Sequence, residues 1–529
     1  MPSTSNASSD PGSGRLVEAL QQALQGSTGR PVRRVDTHIS WVLLDGEFAW
    51  KLKKPVRLGF LDFSELAMRR RFCDEELRLN RRLAPELYLD VVPIGGSAEA
   101  PRLAGPGPAL EYAVKMRQFP DGALLSERLA AGTLEPAHLE RLAARLAVFH
   151  DAAPAAGADT PYGTAARIEA DTARTLDGLA ALVGEAALAG LRERIQAAEA
   201  RLRATFMQRK AIGRVREGHG DLHLANAVVL GDDVTAFDCI EFDPGLRWID
   251  VYNDVAFLAM DLMAHGRRDL AMRYLDAWLA ASGDYEGLPV LRYYLAYRAL
   301  VRALVARIRA AQGGAAPDGP DYLKLAQRLV DERDARLLIT HGLSGSGKSH
   351  VSLRLLECAG AIRLRSDVER KRLFGLDALH DASARPGEGI YAGDATQRTY
   401  ERLLALAMHS LDAGYPTIVD ATFLRARERD AFREAARARG VPFTILHCRA
   451  EPALLRERVA ARRAGRTDAS DADLAILERQ LAGHEPLRDD ERGVAIEIDT
   501  GRPVDVDALA GRWLERPQES GPRAAAPGP

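Results

Sequence analysis

The stretch Gly342-Leu343-Ser344-Gly345-Ser346-Gly347-Lys348-Ser349 satisfies G-x-x-x-x-G-K-[ST] at every fixed position and directly follows an apolar run, Arg336–Thr340. Glycines let successive backbone N–H groups curl around phosphate oxygens, and the helix that follows adds its N-terminal dipole. Lys348 would then reach the β- and γ-phosphates of ATP, and the Ser349 hydroxyl would ligate Mg2+. A second constellation lies far upstream. His219-Gly-Asp221-Leu-His223-Leu-Ala-Asn226 has the spacing H-x-D-x-x-x-x-N of a kinase catalytic loop, in which the Asp takes the acceptor hydroxyl proton and the Asn binds magnesium. The strand-like run Val234–Asp238 then delivers another carboxylate, Asp238, to the position of the kinase magnesium ligand.

Each constellation needs elements to position it. Ser40–Leu44, the turn signal Asp45-Gly46 and Glu47–Lys53 read as a hairpin whose second strand carries Lys51 and Lys53. The helical stretch after it carries Glu75 and Glu76. That is the order of the phosphate-binding lysine and its glutamate partner in kinases, with Lys51 and Glu76 taken as the pair; Lys53 and Glu75 are their alternatives. Glu241, Asp243 and Asp250 serve either a hydrogen-bond network or substrate recognition, and His223 reads as a structural partner of the loop.

Around the P-loop, Ile362–Arg365 is a strand leading to Asp367, and Thr417–Val419 a strand leading to Asp420. Both acids emerge at the edge where open α/β sheets bind ligands. Asp367 reads as a proton acceptor, with Arg365 or Arg370 holding the substrate, or else as a helix N-cap. Asp420 reads as a magnesium or substrate contact, or as a cap. Arg458 and Arg462 share a helical face before a polar loop, Gly465–Asp473; they are either lid arginines closing over transferring phosphates or a solvated basic face.

The features from Arg336 to Trp513 resemble the small P-loop kinases around gluconate and shikimate kinases and the kinase half of polynucleotide kinases. That resemblance implies an acid such as Asp367 as general base, lid arginines, and ATP with magnesium. His219–Asn226 is similar to the H-G-D-x-H-x-x-N loop of the aminoglycoside and choline phosphotransferase family, which has a protein-kinase-like fold. It implies Asp221 as catalytic base, Asn226 and Asp238 as magnesium ligands, and Lys51 on ATP with Glu76 as its partner. Here no G-x-G-x-x-G loop covers the phosphates, and Asp238 is followed by Cys239-Ile240 rather than Phe-Gly. The whole order resembles a bacterial two-domain family, an aminoglycoside-phosphotransferase-like domain fused to a P-loop ATPase or small-molecule kinase domain.

The expected fold class is therefore α+β followed by α/β: a protein-kinase-like unit, then a parallel sheet wound by helices. The expected segments are a disordered tail 1–14, a phosphotransferase-like domain 15–311, a linker and connector helix 312–334, a P-loop domain 335–515 and a disordered tail 516–529. A chain of 529 residues is too long for a single hydrophobic core. The formal charge is -2, from 72 Lys+Arg against 74 Asp+Glu, which argues against nucleic acid as a nonspecific partner. Four dispersed cysteines form no C-x-x-C pair, and no apolar run reaches about 20 residues, so a cytoplasmic location without membrane spans is expected. The expected function is ATP-dependent phosphoryl transfer to a small molecule from two nucleotide sites. The alternative is a P-loop ATPase or kinase regulated by a non-catalytic, phosphotransferase-like ligand-binding domain.

Overall fold

The computed structural model describes residues 11–58, 61–311, 319–376, 393–465 and 473–515. It forms two compact units, Met1–Ala170 with Phe206–Leu258, and Asp171–Thr205 with Ala259–Pro529.

The first unit is organised by a six-stranded antiparallel sheet. Its order is Arg33–Asp36, Ser40–Leu44, Phe48–Lys53, Glu111–Arg117, Tyr88–Gly96, Pro101–Leu103. The expected hairpin is its second and third strands, with Val42 opposite Lys51. Side chains alternate across a strand, so Trp50 and Leu52 pack on one face with Trp41, Leu43 and the helix residues Val17, Leu20 and Leu24. Ala49, Lys51 and Lys53 therefore point to the other face, where Ala49 packs with Cys73 of the helix Leu66–Asn80. On that helix the buried positions Arg69, Cys73, Glu76, Leu79 and Asn80 form a single stripe at helical spacing. Glu75 lies about 100° around the helix, off the stripe. The helix Pro11–Thr28 starts inside the segment expected as a tail, because Leu16, Val17, Leu20 and Leu24 are buried at helical spacing.

The second unit holds a five-stranded parallel sheet ordered Ile362–Arg365, Pro416–Asp420, Arg336–His341, Phe443–Arg449, Ala495–Asp499. The P-loop strand is central and almost continuously buried, with Leu337, Leu338 and Ile339 consecutive, as a parallel strand covered on both faces must be. The expected segments and the compact units divide the chain differently. The helices Arg268–Ser282 and Leu288–Ala311, expected with the first domain, belong to the second unit. There Leu275, Trp278 and Leu279 are buried, and Arg273 pairs with Glu357 of the P-loop helix at 2.6 Å. The gap at Ala311–Pro320 interrupts the helical pattern without ending the packed body. The connector helix is Tyr322–Asp331; residues 1–10, 312–318 and 516–529 lie outside the described residues.

Candidate phosphotransfer sites

In the second unit, Gly342, Gly345 and Gly347 all have positive φ. A Cβ on Gly342 would lie 2.5 Å from the Cys448 carbonyl oxygen, and one on Gly345 2.7 Å from that of Leu455. Any side chain there would push the loop off its neighbours, so the glycines are required for a tight phosphate cradle. Lys348 is buried and its Nζ donates to the Leu343 carbonyl oxygen at 2.8 Å. Burial pulls its pKa below the usual lysine value, against the opposing charge of Asp420. A phosphate entering this loop therefore meets a cation held by weak neutral acceptors.

The cavity beside it, about 490 Å3, is lined by Lys348, Ser349, Asp367, Asp420, Arg458 and Arg462, with Arg365 and Arg370 also on its wall. Asp367 occupies the second position of the helix Ser366–Leu373, whose N-cap is Arg365, so the expectation that Asp367 is an N-cap does not hold. Asp420 ends its strand, and the next helix begins only at Ala426, so it is not a cap either. It is buried and accepts from Ser352 Oγ at 3.1 Å. Arg458 donates to Thr500 Oγ1 at 3.0 Å and to the Thr500 carbonyl oxygen at 2.7 Å, which ties the start of the expected lid to the loop after the last strand. Arg456, on the same helix, is exposed and paired with Glu478. Residues 466–472 of the expected lid loop lie outside the described residues.

In the first unit, Lys51 Nζ donates to Glu76 at 2.7 Å and to Asp238 at 2.5 Å. Lys53 Nζ, fully buried, donates to the other Glu76 oxygen at 2.7 Å and to Glu241. Burial alone would raise the Glu76 carboxyl, but the two lysines overcome it and hold the pKa at about 2. Glu75 points away, to Arg78 and Arg247, each at 2.8 Å. The geometry thus separates the alternatives left by the sequence: Glu76 faces the lysines, and Lys51 is the one that reaches Asp238. Asp238 sits in the left-handed region with φ 65, where an Asp is better tolerated than most side chains, two residues beyond the strand Asp233–Ala236.

The loop itself is knotted by hydrogen bonds. Asn226 Nδ2 donates to the Asp221 carbonyl oxygen at 2.9 Å and to its carboxylate at 3.1 Å. His223 Nδ1 accepts from Ala225 N–H at 3.2 Å, the structural part expected of it. Asp254 accepts from the N–H groups of His219 at 2.6 Å and Gly220 at 2.8 Å, and its pKa is about 2 because His150 and His219 outweigh its burial. Sequence reasoning missed Asp254, which has no motif of its own. Of the flagged acids, Glu241 binds Lys53, Asp243 accepts from Gly245 N–H at 2.7 Å, and Asp250 holds Arg209 at 2.6 and 2.8 Å.

Both donor sets fit a nucleotide with magnesium. Among the described residues no cluster of three or more His, Cys, Asp or Glu is arranged to hold a metal alone. Magnesium usually takes one or two carboxylates and completes its shell with water and phosphate oxygens. Ser349 with Asp420, and Asn226 with Asp238, offer such partial sets.

Residues 337–487 match a family model described as an AAA domain. "Uncharacterized protein Rv2004c" of Mycobacterium tuberculosis is 31% identical over 461 residues, covering 84% of this chain and 89% of that protein. "Uncharacterized protein Mb2027c" of Mycobacterium bovis gives the same values. The chain belongs to the family of these mycobacterial proteins. Among solved structures, a choline/ethanolamine kinase family protein from Mesorhizobium loti is 13% identical, covering 60% of this chain and 95% of that one, with a TM-score of 0.36. A gluconokinase from Sinorhizobium meliloti is 21% identical, covering 35% and 93%, with a TM-score of 0.25. With the P-loop on a parallel sheet, Lys51 on an antiparallel one, Glu76 on the helix packed against it and the H-x-D loop between the short strands Val215–Glu217 and Ala227–Leu230, the chain has the architecture of an ATP-dependent kinase. Among the described residues no helix is long and apolar enough to cross a membrane.

Proposed function

We propose that the chain transfers the terminal phosphoryl group of ATP to the hydroxyl of a small cytoplasmic molecule, with one nucleotide site in each unit. The observation that carries the reading is the single cavity that brings Lys348, Asp367, Asp420 and Arg462 together. ATP with magnesium supplies the transferable group and the divalent charge that offsets its oxygens. In the second unit the Gly342–Ser349 backbone and Lys348 hold the phosphates, and Ser349 and Asp420 hold the metal. Asp367 orients the acceptor hydroxyl and takes its proton. Arg462 adds positive charge where the transferring group passes, with Arg458 fixing the helix that carries it. In the first unit Lys51, oriented by Glu76, holds the phosphates, Asn226 and Asp238 hold the metal, and Asp221 is the base.

The test is transfer from labelled ATP into a bacterial metabolite extract by the full chain, by Lys348→Ala and by Asp221→Asn. Each variant should lose part of the labelled product and the double variant all of it. Hydrolysis with no labelled product would replace this reading by an ATPase. A second reading, in which the first unit binds nucleotide and regulates without turnover, is favoured by the closed contacts Lys51–Asp238 and Asn226–Asp221. Under it, Asp221→Asn leaves the product level intact.

A further inference from the structure

The second unit contains another cavity, about 510 Å3, between the helices Ala189–Ala211, Leu288–Ala311 and Tyr322–Asp331. Three guanidinium groups, Arg201, Arg292 and Arg333, line it together with Tyr293 and Ile195. The carboxylates around it are engaged elsewhere. Asp412 binds Arg439 at 2.8 and 3.2 Å, Asp331 binds Arg194 at 3.0 Å, Glu332 binds Arg268 at 2.5 Å, and Glu199 accepts from Tyr293 Oη at 2.8 Å. Among the described residues no carboxylate pairs with Arg201, Arg292 or Arg333. Arg292 spends two donors on the carbonyl oxygens of Ala413 and Gly414, both at 2.9 Å, and stacks 3.8 Å over Tyr415.

The cations are also crowded. A Cβ on Gly414, at φ +83, would stand 2.8 Å from Arg292 Nη1 and 3.2 Å from Arg333 Nη1. Partial burial of its inner end, and then Arg201 and Arg292, hold the otherwise exposed Arg333 below the ordinary arginine pKa. Like charges brought this close repel one another unless an anion lies between them.

We propose that this cavity is a second ligand site that takes a small phosphate-bearing polyanion. Arginine forks match phosphate oxygens in geometry as well as charge. The volume lies in the range of small-molecule sites, and Ile195 and the ring of Tyr293 offer surface to the uncharged part of the ligand. Among the described residues the carboxylates around the cavity are all engaged, so the site binds rather than reacts.

The probe is pyrophosphate, titrated calorimetrically into the full chain with both nucleotide sites saturated by ADP at constant free magnesium. Wild type and Lys348→Ala should bind it alike, and the double variant Arg201→Gln, Arg333→Gln at least tenfold more weakly. Both side chains are exposed, so this variant should keep the wild-type melting temperature. Arg333→Lys, which keeps the charge but not the fork, should fall between them. The proposal is overturned if wild type gives no binding heat, if the double variant binds as well as wild type, or if only Lys348→Ala loses binding. Binding of citrate but not pyrophosphate would overturn the phosphate assignment.

Discussion

Asp276 and Arg363 form a two-pronged buried ion pair, Nη2 to Oδ2 at 2.7 Å and Nε to Oδ1 at 3.2 Å. The remaining Arg363 donor reaches the Ser349 carbonyl oxygen at 3.2 Å, and its guanidinium stands 3.9 Å from Asp420. An acid on the helix Arg268–Ser282 thus fixes the arginine that lies behind both proposed magnesium-holding groups of the P-loop unit. Asp276→Ala should leave the buried Arg363 with only the more distant Asp420 as counter-ion, at a cost approaching the ~3–5 kcal/mol of breaking a buried pair. Thermal unfolding should shift down markedly, and P-loop nucleotide affinity, measured below the new transition, should fall with it.

Lys348→Ala should remove most ATP turnover in an Asp221→Asn background, where only the second unit is active. Loss of one oriented electrostatic contact to the transferring group costs about 2.7–4 kcal/mol in the transition state. Steady-state turnover checks this; an unchanged rate in a folded variant would contradict the P-loop assignment.

Asp367→Asn separates chemistry from structure. The helix cap is Arg365, so Asp367 is not needed as a cap, and its favourable place in the first turn is worth about 0.3–1 kcal/mol. Melting and nucleotide affinity should stay close to wild type while phosphoryl transfer drops, since an amide cannot take the hydroxyl proton. Equal transfer by both proteins would remove Asp367 from the mechanism.

Acid should destabilise the first unit through Glu76 and Asp254. Both are depressed to about 2 when folded, from 4.5 and 3.8, so the folded state binds fewer protons than the unfolded one in that interval. Their stabilisation is complete above about pH 4.5 and is lost as pH falls towards 2. Glu241, pushed up by burial, acts in the opposite direction. Far-UV circular dichroism across this range should show a flatter acid limb for Asp254→Asn than for wild type, from a lower starting stability.

What could be read along the chain was local. Gly342–Ser349 and His219–Asn226 carry their chemistry in consecutive residues, and the period of two puts Lys51 and Lys53 on a common face. The choice of Glu76 over Glu75 needed the buried stripe at 69, 73, 76, 79 and 80, which mixes Arg, Cys, Glu and Asn with a single Leu and so has little apolar signature. Asp254 and the Asp276–Arg363 pair were invisible for another reason. Their partners lie tens of residues away, and a single acid in an apolar helix looks the same whether it clamps a loop or faces water. The Ala311–Pro320 break was plain, but composition reports where helices stop, not which body they cover.

The interleaving of the two units bears on how the polypeptide can be cut and on how it is made. The ribosome emits residues 171–205 and 259–311 before any strand of the parallel sheet exists, so their apolar faces must wait for the remainder of the chain. A gene split at the apparent linker, 311–320, would send Asp276 out on one fragment and Arg363 on the other. Each product would carry an uncovered face, and co-expression of the two halves should rescue solubility that neither has alone.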